Sequence, residues 1–183
     1  MQPFRCTSPI DSWPRLERSE LSSPRTMSRC VRWIVRELAA EETHGLRRVV
    51  SADGRTDLPS MRHELDDAPG TWHLGAVDPA GHVVATSSFY VVPCPTRPAA
   101  WPGVELKFMA VEPTAQRHGI GSAVMAEAIR RLKAAGAVLH WANARDSALP
   151  FYRSFGFSRV EGSGYTPPHT GRPHHMIELD LTS

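Results

Sequence analysis

The chain is poor in the features that announce many protein classes. Its 3 cysteines, Cys6, Cys30 and Cys94, are odd in number, far apart and without a C-x-x-C pair. That spacing argues against a disulfide framework or a thiolate zinc site and for a reducing, cytoplasmic compartment. Long apolar runs are missing as well: none approaches the roughly 18 residues that a membrane helix needs. The N-terminus lacks the apolar centre of a secretory signal, so no membrane partner is expected. Charge of one sign is also scarce. The formal net charge is +2, and the arginines of residues 1–36 are interleaved with Asp11, Glu17 and Glu20. Nucleic acid is therefore not an expected partner. Trp33, Trp72, Trp101 and Trp141 then read as core or pocket lining rather than a platform for stacked bases.

What is present suffices for one domain, since 183 residues with 41% hydrophobic content can bury a proper core. Residues 1–28 are rich in Ser, Pro and Arg and carry no apolar period. They are expected to form a disordered leader, with Met27 an alternative start, ahead of a domain over 29–183. CVRWIV (30–35) reads as a strand. RELAAEETHGLRRVV (36–50) reads as a helix with Leu38, Leu46, Val49 and Val50 on one side, and 51–70 as loop. TWHLGAV (71–77), a DPAG turn and HVVATSSFYVV (82–92) form a hairpin. Next come the strand VELKFMAV (104–111), a helix over 119–135 and the strand AVLHWAN (137–143). SALPFYRSF (147–155) is a short helix, with Asp146 or Ser147 as cap and Pro150 in its first turn. GFSRV and HHMIELDL close the sheet. The order predicts an α/β fold of the α+β type: one mixed, mostly antiparallel sheet of six to seven strands with helices on both faces.

The most informative stretch is QRHGIG (116–121), where a strand hands over to a helix. A helix N-terminus leaves about four N–H groups unpartnered and adds roughly half a positive charge. Glycines there let an anion such as a phosphate or pyrophosphate approach the donors without meeting a Cβ. Neither nucleotide motif is satisfied. No Lys-Ser or Lys-Thr follows, as a P-loop requires, and a dinucleotide fingerprint needs glycine where Val124 stands. Taken alone, the two glycines are equally consistent with a turn that merely relieves crowding.

Gln116-Arg117-His118-Gly119-Ile120-Gly121 resembles the Q/R-x-x-G-x-G/A loop of the GNAT superfamily of acetyltransferases. In ALPFYRSFGF, Ala148, Tyr152, Gly156 and Phe157 are similar to that family's A-x-x-x-Y-x-x-x-G-F block. The likeness covers residues 71–161 well, 30–70 by element order and 1–29 not at all. It implies that acetyl-CoA is the co-substrate, its pyrophosphate wrapped by Gln116, Arg117, His118, Gly119, Ile120, Gly121 and Ser122. It further implies pantetheine contacts at Met109, Ala110 and Val111, with Asn143, Arg145 and Phe151 completing the CoA contacts. Two positions depart from the pattern. His118 stands where the family usually has Arg, which makes one charge pH-dependent. Arg145 stands where many members have Asn, and Asn143 lies two residues earlier.

Strand alternation in VELKFMAV places Glu105, Lys107, Met109 and Val111 on one face. A carboxylate in a covered strand conflicts with burial, and such conflicts gather at working sites; the alternative is a solvated Glu105 paired with Lys107. E-x-x-F-x-A-V resembles the strand of the superfamily's histone acetyltransferase branch, which implies that Glu105 is the general base. An alkylamine with a pKa near 10.4 needs about 4–5 kcal/mol to lose its proton at pH 7, so a base is required. The departing thiolate, near pKa 8.5, needs a proton donor, and the resemblance assigns that role to Tyr152; ordinary packing beside Phe151 and Phe155 is the alternative.

Among nine histidines, adjacent His174 and His175 would point to opposite faces of a strand, so no metal site is expected. A Pro-His before the last strand is similar to some small GNAT proteins, which makes His174 a candidate on the acceptor side. The expected activity is transfer of the acetyl group of acetyl-CoA directly to a primary amine of a small molecule or peptide. A non-catalytic acyl-CoA sensor is the alternative. The identity of the amine is not legible, and a homodimer is as compatible with the sequence as a monomer.

Overall fold

A computed structural model describes residues 33–51, 61–168 and 170–182. The expected leader, residues 30–32 of the first expected strand, residues 52–60 of the expected 51–70 loop and His169 lie outside the described residues. Seven strands form one sheet in the order β1-β2-β3-β4-β5-β7-β6. They are β1 (Ile34–Leu38), β2 (Trp72–Val77), β3 (Val83–Val91), β4 (Gly103–Val111), β5 (Leu139–Arg145), β6 (Ser158–Arg159) and β7 (His174–Asp180). Every neighbouring pair is antiparallel except β4 and β5, which run parallel. The mixed, mostly antiparallel sheet expected from the pattern is present.

Among the described residues three α-helices accompany it: α1 (Ala40–Ser51), α2 (Ile120–Ala134) and α3 (Leu149–Arg153). The alternation of β3 separates their faces. Phe89 joins the core that α2 builds with Ile120, Val124, Met125, Ala128 and Leu132. Ser88 and Tyr90 point the other way, to Arg47 of α1. The four-residue steps read in α2 are its buried stripe, and each large side chain there contributes about 1.5–3 kcal/mol on burial.

The first strand and helix sit later than expected, at Ile34–Leu38 and Ala40–Ser51. Residues 36–38 have good helix formers but pair with β2, Leu38 opposite His73; ladder hydrogen bonds and burial of Leu38 outweigh a weak propensity. Glu42 then closes the new helix start. Its carboxylate accepts the Ala39 N–H at 2.8 Å and pairs with Arg36 at 2.7 Å. The inward side of α1 is Thr43, Leu46 and Arg47, while Val49 is exposed. Leu38 is not on the helix at all.

Under α1 lies a polar layer. Arg47, fully buried, forks onto Asp66 at 2.8 and 2.9 Å, and it also donates to the Met61 carbonyl and Ser88 Oγ. Tyr90 donates its hydroxyl to Asp66 at 2.7 Å, and His73 Nδ1 lies 2.8 Å from Ser88 Oγ. The guanidinium rests 4.3 Å over the Phe108 ring.

Candidate active site

Two irregularities in β4 build the site. The first is a bulge. Thr86 pairs with Ala110 and Ser88 with Lys107, so two steps on β3 face three on β4. Phe108 takes up the extra residue at φ 55, a left-handed conformation that a bulky side chain rarely adopts. The simple alternation therefore fails. Glu105, Lys107 and Phe108 lie on the α1 face, whereas Met109 and Val111 lie on the α2 face against Gly121. The expectation that Glu105, Lys107, Met109 and Val111 share one face is corrected by that one extra residue.

The second irregularity is divergence. The parallel ladder between β4 and β5 runs from Gly103–Leu139 to Leu106–Ala142 and stops there. β4 continues to Val111, and β5 continues to Arg145 paired only with β7. One edge of Lys107–Val111, including the backbone of Met109 and Ala110, is thus left without a strand neighbour, and a gap opens through the sheet. Glu105 sits one residue before it, opposite Trp141.

The head of α2 stands beside that gap. Its first helical bond is Ala123 N–H to the Gly119 carbonyl, and among the described residues the N–H groups of Gly119 through Ser122 have no partner, while Gln116 and Arg117 form a turn that engages the His118 N–H. Gln116 braces the loop by donating its side-chain amide to the Val111 carbonyl at 3.1 Å. Arg117 (φ 64) and Gly119 (φ 79) turn the backbone into the start of α2. The two glycines act differently. At Gly119 a Cβ would meet nothing within 4 Å, so conformation is the requirement; at Gly121 it would lie 3.3 Å from Val111 Cγ2 and 3.4 Å from Met109 Cε, so close approach is. The Ile120 side chain is 1% exposed and belongs to the core, leaving only its backbone to serve a ligand. Ser122, Arg117 and His118 are exposed, with His118 Nδ1 3.4 Å from the Ala115 carbonyl.

Gly119→Val strains the start of α2 by about 1–2 kcal/mol, and Gly121→Val overpacks it against β4 by about 1–3 kcal/mol. Each is expected to weaken CoA binding by about tenfold or more through its backbone donors. Arg117→Ala, an exposed charge, is expected to weaken it by about fivefold or less. A calorimetric titration checks the ranking, and equal losses in all three variants contradict it.

Glu105 is 6% exposed, with Oε1 3.1 Å from Lys107 Nζ. Burial pushes its carboxyl above the ordinary glutamate range, with Lys107 only partly opposing. The pairing with Lys107 exists, but the carboxylate is not solvated. Tyr152 lies on the α2 face, 7% exposed, packed edge-on to Phe151 and Phe157 at 5.2 and 5.5 Å. Its hydroxyl has no hydrogen bond among the described residues, and burial raises its pKa, so it stays protonated across the working range. Base and phenol therefore occupy opposite faces of the sheet, and the gap beyond Leu106–Ala142 is where the faces communicate.

Other expected residues distribute as follows. Phe151 lies 3.8 Å from the place of a Gly121 Cβ, beside the α2 head. Asn143, exposed, follows the Trp141 side of β5 and thus the Glu105 face, with Arg145 two residues beyond. Neither is brought to the α2 head. His174 Nδ1 meets the Arg172 carbonyl at 2.7 Å, and its ring stacks on Tyr165. His175 points to the opposite face and bonds Asp146 Oδ1 at 2.6 Å. Asp146 is thereby engaged, and neither it nor Ser147 caps the last helix. Among the described residues no three His, Cys, Asp or Glu side chains are grouped as metal ligands, and no helix is long and apolar enough to cross a membrane. Sequence reasoning missed Arg47, Asp66, His63 and Tyr90. The available signal was the polar S-x-Y of β3, Ser88 and Tyr90 alternating with apolar residues in a strand otherwise wholly buried.

Comparison with known proteins agrees with this geometry. The model of the acetyltransferase (GNAT) family matches residues 30–157, and the chain belongs to that family. It is thereby an acyltransferase. The ribosomal-protein-S18-alanine N-acetyltransferase from Escherichia coli superposes with a TM-score of 0.61 at 17% identity, covering 83% of this chain and 96% of its own. An N-acetyltransferase from Staphylococcus aureus Mu50 gives 0.61 at 16% identity, covering 82% and 99%. An aminoglycoside 6'-N-acetyltransferase complexed with coenzyme A gives 0.63 at 13%, covering 82% and 98%. At such identities these likenesses establish the fold. No curated protein matches the chain in sequence.

Proposed function

We propose that this protein transfers the acetyl group of acetyl-CoA directly to a primary amine. The observation that carries the reading is the row of partnerless N–H groups from Gly119 to Ser122, set beside the β4 edge that β5 has left. Such a row suits a diphosphate, and the β4 edge at Met109 and Ala110 that β5 does not pair suits an extended amide-bearing arm. Acetyl-CoA supplies the activated acyl carbon. Glu105 takes one ammonium proton, directly or through water; the amine lone pair forms the new C–N bond as the thioester C–S bond breaks; and the thiolate leaves against the Tyr152 hydroxyl, ending with the second proton that the amide nitrogen sheds.

Burial raises the phenol above its usual value near 10, whereas the thiolate is near 8.5, so complete proton transfer from Tyr152 is uphill. Its contribution is a charge-assisted hydrogen bond of about 1.5–3 kcal/mol. Tyr152→Phe is therefore expected to lower kcat by about 10–150-fold with little change in acetyl-CoA affinity. Steady-state kinetics checks this, and an unchanged kcat removes Tyr152 from the reaction.

A thiol-release assay of acetyl-CoA against a broad panel of amines tests the function itself. Acetyl-CoA binding with no thiol released by any amine favours the sensor alternative.

A further inference from the structure

On the Glu105 face the charges suit one class of amine better than others, an inference that rests on the transferase reading above. Lys107 Nζ stands 3.1 Å from Glu105 Oε1, and its side chain is 34% exposed. The bulge keeps Phe108 on the same face instead of crossing the sheet. Over this floor lies His63, its ring stacked on Tyr90 at 4.6 Å and edge-on to Phe108 at 5.9 Å. The buried Asp66 fixes it there by accepting the His63 backbone N–H at 2.8 Å. His63 Nδ1 accepts the Leu65 N–H at 3.2 Å, so the ring proton is on Nε2. Burial and then Lys107 push the imidazole below its usual range and keep it neutral near pH 7. Among the described residues Nε2–H has no partner.

Close to Phe108 this face thus offers the Glu105 carboxylate, the Lys107 ammonium and the neutral His63 N–H donor. A simple alkylammonium drawn to Glu105 meets Lys107 as a like charge at close range, which disfavours it. An acceptor that brings its own anion removes the conflict. Its ammonium meets Glu105, and its anion meets Lys107 and the His63 N–H. The 3.1 Å between Glu105 and Lys107 suits an ammonium and a carboxylate borne on one carbon. We propose that the acceptor is a free α-amino acid, selected by Lys107 and His63 through its carboxylate. The product is the N-acetyl amino acid; one ammonium proton passes to Glu105 before attack, and the second leaves nitrogen as the C–S bond breaks and ends on the CoA thiolate, which is released as the thiol.

Matched trios of acceptors test this: α-amino acids, their amides, and the corresponding decarboxylated amines. The wild type is expected to show kcat/KM at least about tenfold higher for the acid than for either analogue. Lys107→Gln is expected to bring that ratio within about threefold while acetyl-CoA affinity and thermal stability hold, and Lys107→Arg to retain it. An amide or amine that reacts as well as the acid overturns the proposal, as does a ratio that Lys107→Gln leaves unmoved. Acetyl-CoA binding without acetylation of any trio overturns the acceptor class but not the transferase reading. Absence of acetyl-CoA binding overturns both.

Discussion

Glu105→Gln is expected to reduce kcat by about 10²–10⁴-fold while acetyl-CoA affinity stays nearly unchanged. The size follows from the amine: without a base, only the small fraction of unprotonated amine reacts near pH 7, a handicap of about 4–5 kcal/mol for an amine of pKa near 10.4. Binding is spared because Glu105 faces α1, whereas the donors for the diphosphate stand at the head of α2. The pH profile carries a second signature. Burial holds the Glu105 carboxyl above the ordinary glutamate range, so activity rises with pH through that raised pKa. The glutamine variant lacks this limb.

Stability changes in the opposite sense. A carboxyl whose folded pKa lies above its unfolded one supports the fold below the unfolded pKa and loses that support as pH rises through the folded value. Near neutral pH the ionised Glu105 is thus a burden, and Glu105→Gln is expected to raise Tm there and to lose the gain in acid. A variant that is inactive and also less stable at neutral pH indicates a structural carboxylate instead of a base.

The largest stability effect is expected at Asp66. Removing one partner of a buried ion pair costs about 3–5 kcal/mol, because the other charge is stranded. Asp66→Ala strands Arg47, which is 0% exposed, and deprives the Tyr90 hydroxyl and the His63 N–H of their acceptor. For a chain of this size the expected fall in Tm is roughly 6–20 °C. Although burial opposes ionisation, the bonds from Arg47, the His63 N–H and Tyr90 hold the Asp66 carboxyl far below its ordinary range. Its support is complete above the usual aspartate pKa and fades only in strong acid, so the deficit of the variant shrinks as pH falls. Thermal melts of both proteins across pH check this. A Tm change under about 3 °C at neutral pH, well short of that range, contradicts the account.

These effects mark the boundary of what the sequence made legible. The α2 helix, its glycine turn and the strand before it were readable because they rest on local rules: a four-residue apolar stripe, helix-end chemistry, and spacing similar to a known family. The bulge at Phe108 was not. An extra residue in one strand is defined by its partner, and the uniformly apolar FMAV that follows the alternating VELK carries no sign of it. Arg47 and Asp66 were hidden for a related reason. Each reads as a surface charge in isolation, and only folding brings a helix residue and a loop residue to one buried pair. The gap between β4 and β5 is likewise a property of pairing, expressed by the ladder that ends at Leu106–Ala142.

The central claim is that the bare N–H groups opening α2 hold the diphosphate of acetyl-CoA beside the free edge of β4. Calorimetric titration with acetyl-CoA and, in parallel, with acetyl-pantetheine, which lacks the diphosphate, addresses it most directly. The account predicts saturable binding of acetyl-CoA and a loss of at least about a hundredfold for the truncated thioester, the worth of two charge-assisted hydrogen bonds. No heat from acetyl-CoA at millimolar concentration, or equal affinity for the two, contradicts it.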